Sequence, residues 1–89
     1  MHWYDRYVEK VPGVQGGEPV ITGTRTPVRA LVELFYVVYP SNLSEVRRAL
    51  SHLDQTHIEA GLAYYKDHQA EIDGHIARHE EAFRKAHVR

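Results

Sequence analysis

The chain has 89 residues, enough for one domain, and a domain of this size buries only about 60 to 65% of its unfolded surface, so association is the natural support for a thin core. The absence of cysteine excludes a disulfide framework and a thiolate metal site, and points to a reducing compartment. With 11 Lys and Arg against 12 Asp and Glu the net charge is −1, so the whole-chain field does not advertise nucleic acid and any such site has to be a local patch.

No apolar run approaches the length of about 20 residues that spans a bilayer, and "MHWYDRYVEK" lacks the apolar core of a signal peptide. A soluble cytoplasmic protein with no membrane role is expected. Met1 to Gln15 mixes aromatics and charges (Trp3, Tyr4, Tyr7) with a breaker pair at Pro12-Gly13, which reads as an extended arm holding one short strand. In "GGEPVITGTRTPV", from Gly16 to Val28, "PVI" and "RTPV" flank "TGT" and predict two short strands joined at Thr22 to Thr24. Pro27 suits the first turn of a helix, with Thr26 as N-cap, so the first helix is expected from Val28 to just before Pro40. Its apolar residues, Val28, Ala30, Leu31, Val32, Leu34, Phe35, Val37 and Val38, leave a polar stripe of only Arg29, Glu33 and Tyr36. Such a helix is buried on more than one side.

After "YPSN", Asn42 and Glu45 approximate a capping box that starts a second helix, "LSEVRRALSH", with a core stripe of Leu43, Val46 and Leu50 and with Leu53 closing the turn. Arg47 and Arg48 lie off that stripe. Asp54 is placed to cap a third helix, "QTHIEAGLAYYK", where Ile58, Leu62 and Tyr65 recur on one face and Gln55, Thr56, Glu59, Ala63 and Lys66 on the other. A fourth helix is expected from about Gln69 to Arg89, with a thin apolar line of Ile72, Ile76 and Phe83, supplemented by Ala82 and Ala86. Gly74 weakens it by about 1 kcal/mol relative to alanine. The expected fold is a mostly α single domain: arm and β-ribbon over 1–27, a three-helix, homeodomain-like helix-turn-helix core over 28–67, and a C-terminal helix over 68–89.

The three central helices fit a helix-turn-helix and equally a small orthogonal bundle with no nucleic-acid role. In the first case Gln55, Thr56 and Glu59 face base edges in the major groove, and Arg25, Arg29, Arg47 and Arg48 hold phosphates. Asp54 and Glu59 oppose this by repelling phosphates. The glycine-rich stretch lacks the Gly-Lys-Ser/Thr ending of a phosphate loop. His75 and His79 with Glu71 have chelating spacing, but the order is not that of a zinc protease, and a solvated helix face accounts for the seven histidines. No metal, cofactor or enzymatic activity is expected. Ile72, Ile76 and Phe83 are candidate anchors for a partner's groove, with packing on the same chain or its dimer mate as the alternative.

"GGEPVITGTRTPV", an apolar helix and "HLDQTHIEAGLAYYKDHQAEID" together resemble the family catalogued as domain of unknown function 433, described as VapB-like antitoxins. The resemblance runs from Val14 to about Asp73. It departs at Glu18, where lysine or arginine is usual, at Thr26 in place of isoleucine, and in the arginine-rich "NLSEVRRALS". What it implies is a dimeric antitoxin of a type II toxin-antitoxin pair that represses its own operator DNA and neutralises a cognate PIN-like ribonuclease toxin. The apolar first helix, the aromatic arm and the thin C-terminal stripe agree with it, as surfaces awaiting a homodimer mate or partner. The competing expectation is a protein-interaction module that acts as a dimeric partner or inhibitor and binds no DNA.

Overall fold

The computed structural model describes residues 1–87, so the last two positions of the expected C-terminal helix, Val88 and Arg89, lie outside the described residues. A 3-10 turn over Trp3–Tyr7 leads into strand β1 (Val8–Glu9), a second 3-10 turn over Gln15–Gly17 and strand β2 (Val20–Ile21). Helix α1 (Val28–Glu33) continues as a π-helical turn over Leu34–Val38 and is followed by α2 (Leu43–Ala49), α3 (Gln55–Asp67) and α4 (Gln69–His87). The architecture is thus mostly helical, with a two-stranded antiparallel hairpin ahead of the helices, as expected. No helix among the described residues is long and apolar enough to cross a membrane.

The ribbon differs from expectation in its pairing. β1, from the arm, lies antiparallel to β2 with Val8 opposite Ile21 and Glu9 opposite Val20. The strand expected at "RTPV" shrinks to a single bridge between Val20 and Pro27. Proline has no N–H to donate to a ladder, and the intervening segment satisfies itself as a turn: the Thr24 hydroxyl donates to the Ile21 carbonyl (2.8 Å) and itself accepts from the Thr26 N–H (3.0 Å). Gly23, at φ +80°, supplies the left-handed residue that this turn requires. Thr26 does not cap α1. Pro27 occupies that position with no side-chain cap, and the Thr26 hydroxyl instead sits 2.6 Å from Nε2 of His52.

The other caps form where the sequence places them. The Asn42 side chain accepts from the Glu45 N–H (3.3 Å) and Asp54 from the His57 N–H (2.9 Å), which fixes the first turns of α2 and α3. The inner face of α3 is rotated from the expected stripe. Ile58, Ala60, Gly61 and Tyr64 are buried, whereas Leu62 and Tyr65 are only half-buried. Gly61 explains the rotation: a Cβ there would run into the Leu31 side chain and stand 3.2 Å from Cδ1 of Ile21, so the close approach of α3 to α1 depends on its absence.

The aromatic arm is not a free surface. Tyr4 is 2% exposed, its hydroxyl donates to Asp67 (2.7 Å), and its ring meets Tyr64 edge-on at 5.8 Å. Tyr64 in turn donates to Glu71 (2.6 Å), and Lys10 pairs with the other oxygen of the same carboxylate (2.6 Å). The arm is therefore latched to the α3–α4 junction, with Trp3 left outside. Loss of hydration, and then the hydrogen bond to Asp67, push Tyr4 up to about 12. A folded chain that holds this proton more tightly than an unfolded one, whose tyrosines titrate near pH 10, has the full benefit below about pH 10 and loses it as pH rises through about 12. Thermal midpoints measured across that window should fall, and the alkaline fall should be shallower in Tyr4→Phe.

α4 begins inside the core and ends outside it. Ile72 is fully buried, Ile76 is partly buried against the same cluster, and every described residue from Ala77 onward is exposed.

Candidate functional site

Three elements converge on Glu18, the one buried charged residue among those described, at 4% exposure. Its Oε1 accepts from Nε of Arg29 on α1 (3.1 Å), and its Oε2 lies 3.0 Å from Nε2 of His79 on α4. Arg29 also reaches Glu33 one turn on, at 3.5 Å. A carboxylate taken out of water needs this much compensation, because an unpaired buried charge is strongly disfavoured. Arg29, expected at a phosphate, is therefore committed to an interior ion pair, with little of its side chain exposed. A base at position 18 would face Arg29 with like charge, so the acid found there and Arg29 belong together.

The other arginines remain outside. Arg47 and Arg48 on α2 are exposed and, with Ser44, Ser51 and Leu53, line a shallow depression at the α2–α3 end of the molecule. Arg48 pairs with Glu45 at 3.1 Å, an exposed contact worth about 0–1 kcal/mol, and Arg47 has no ion-pair partner among the described residues. The Thr26–His52 bond ties the ribbon turn to the α2–α3 turn, which brings the segment carrying exposed Arg25 alongside. Gln55, Thr56 and Glu59 are all exposed on the first turns of α3. The Gln55 amide, however, donates to Glu59 (2.8 Å), so those two side chains satisfy each other in the free protein. The backbone N–H of His57, above all, holds the Asp54 carboxyl below its usual range, so the cap is an anion at the mouth of this surface.

Of the three C-terminal anchors, Ile72 is in the chain's own core, Ile76 is half-covered by it, and Phe83 alone is free, at 66% exposure. They share a helix face but not one environment. The apolar surface of α1 divides similarly: Val28, Leu31 and Val32 are interior, while Tyr36, Val37 and Val38 on the π-helical turn are exposed. His75 and His79 do not converge, since His75 contacts Arg78 and His79 contacts Glu18. Among the described residues no group of three His, Asp or Glu is placed to hold a metal ion. Sequence reasoning assigns no site role to Glu18, Tyr4 or Asp67. The acid at position 18, which departs from the pattern of the resembled family, is the one available signal.

A family model described as "Protein of unknown function (DUF433)" matches residues 8–65. The chain belongs to the DUF433 family. The DUF433 match runs from the start of β1 into α3, so it takes in the ribbon, Glu18, Arg29 and the whole α2–α3 surface, and leaves the N-terminal turn and α4 outside. Among solved structures the DUF433 chain is similar to the crystal structure of a DUF433 member protein from Anabaena variabilis ATCC 29413. The two are 30% identical, with a TM-score of 0.71, over 82% of this chain and 70% of that one. Comparison with curated proteins finds no match.

Proposed function

We propose that this protein is the antitoxin of a type II toxin-antitoxin pair, a cytoplasmic, dimeric DNA-binding autorepressor that also neutralises a PIN-like ribonuclease. The observation that carries the DNA-binding part is the α2–α3 end: two exposed arginines around a serine-lined depression, directly beside the exposed first turn of α3 with Gln55 and Thr56. Arginines there suit phosphate oxygens, and a helix start beside them suits base edges. Arg25 on the neighbouring turn extends the cationic edge. The repressor role and the ribonuclease companion are what the resemblance to the DUF433 family, described as VapB-like antitoxins, implies.

The test is binding of the purified protein to its own promoter DNA across a salt series. Arg47→Ala with Arg48→Ala should weaken binding to all sequences and reduce the log–log salt slope by about one unit per lost contact. Gln55→Ala should instead relax sequence preference, as removal of a base-edge contact does.

A second proposal rests on a different observation. Asp54 and Glu59 put negative charge beside the same surface, while Tyr36, Val37 and Val38 offer an uncharged apolar end. A protein-interaction module that inhibits its partner without touching DNA has this distribution. Binding to promoter DNA that is absent, or insensitive to salt, selects it.

A further inference from the structure

The exposed half of α4 continues a seam that its own chain covers only part-way. Ile72, Ile76, His79, Phe83 and Ala86 follow one another in alternate steps of four and three, the spacing of a coiled-coil seam. The first two are held by the core, His79 is held by Glu18, and the seam then runs on beyond the body with Phe83 exposed. A helical stretch of which every described residue is exposed is marginal on its own, because most helical stability in proteins comes from packing one face.

The shape of the uncovered part selects its occupant. Phe83 is a single large side chain bounded on the seam by small or flat ones, with Ala82 beside it, Ala86 one turn ahead and His79 one turn behind. That is one knob and, around it, one hole. A two-fold related copy presents the hole where this chain presents the knob, which is what an isologous interface requires. Across from α4 the same groove is walled by Arg29 and Glu33 of α1. The Glu33 carboxylate is only loosely held by Arg29, and the last turns of α4 carry Arg84 and Lys85 of opposite sign. Glu81 contacts both of those basic residues, at 3.6 and 3.8 Å, and Glu80 and Arg84 flank Phe83 in the groove, so the apolar seam is bordered by charges of both signs.

We infer that two copies of this chain associate through the second halves of their α4 helices, packed antiparallel with each Phe83 seated between Ala82 and Ala86 of the other. This does not depend on DNA binding or on a toxin. Sedimentation of the full chain over a concentration series tests it, with circular dichroism to confirm that each variant is folded. The wild type should be a dimer at tens of micromolar, and Phe83→Ala should weaken dimerisation at least about thirtyfold, as loss of a central aromatic does at an interface. Ala86→Glu, a change at an exposed helical position, should do the same by filling the hole with a charge. A wild type that stays monomeric, or a dimer indifferent to both substitutions, overturns the inference. So does a monomer that engages a co-expressed ribonuclease through Phe83, since the seam then belongs to a different partner.

Discussion

Arg29→Ala should cost about 3 kcal/mol of stability, more than any other removal of a positive charge in this chain. The reason is what it leaves behind. Glu18 is 4% exposed and accepts from Arg29 on one oxygen and contacts His79 on the other. Breaking a buried pair by deleting one partner commonly costs about 3–5 kcal/mol, and the lower end applies here because His79 still holds the second oxygen. Against the 5–15 kcal/mol typical of whole domains, and the small core available here, that loss is a large share of the total. Arg48→Ala, which removes only an exposed pair with Glu45, should stay within about 0.5 kcal/mol. A control separates charge from volume: Glu18→Leu combined with Arg29→Met removes both partners and should recover most of the loss, because apolar replacement of a buried ion pair is often neutral. Urea midpoints of the four proteins decide the matter. If Arg29→Ala and Arg48→Ala unfold together, Glu18 is hydrated and the cluster does not tie the ribbon, α1 and α4 to one another.

What was legible in the sequence follows from how local the determining interaction is. The starts of α2 and α3 were readable because Asn42 and Asp54 bond a backbone N–H three residues on, and a three-residue pattern is visible in a linear chain. The inner face of α3 is not legible because periodicity counts large apolar residues, whereas the face that packs closest is built from the small residues Ala60 and Gly61. The ribbon's longer pairing is hidden for a related reason, although the expected partner is kept as the Val20–Pro27 bridge. A strand pairing across twelve or more residues, Val8 with Ile21, leaves no local trace, while the nearer candidate at "RTPV" is cut to a single bridge by Pro27 and the Thr24 hydroxyl. The candidate site divides the same way. Arg47, Arg48, Gln55 and Thr56 are exposed as expected, because their positions off an apolar stripe decide that. Arg29 is not, because its fate is set by Glu18, eleven residues away. Tyr4 and Asp67, 63 residues apart, could not be joined from the sequence at all.

Ile72→Ala should destabilise the chain by about 2–5 kcal/mol, whereas Phe83→Ala should change the stability of the monomer by less than about 0.5 kcal/mol. Both residues lie on one face of α4, and the sequence treats them as equivalent anchors. The structure separates them: Ile72 is fully buried in the same cluster as Leu31, Ile58 and Tyr64, and its truncation leaves a cavity that rigid neighbours on α1 and α3 cannot close. Phe83 has lost little water by folding, and His87 stacked on it at 4.0 Å belongs to the same helix. Denaturant unfolding in dilute solution, where association does not contribute, measures both. Deleting everything after Asp67 should therefore unfold the protein rather than yield a competent fragment, since it removes Ile72 from the core, His79 from Glu18 and Glu71 from Tyr64 in one step. A truncated chain that remains folded, or an Ile72→Ala variant as stable as Phe83→Ala, would mean that α4 is an appendage for a partner along its whole length and that the core closes without it.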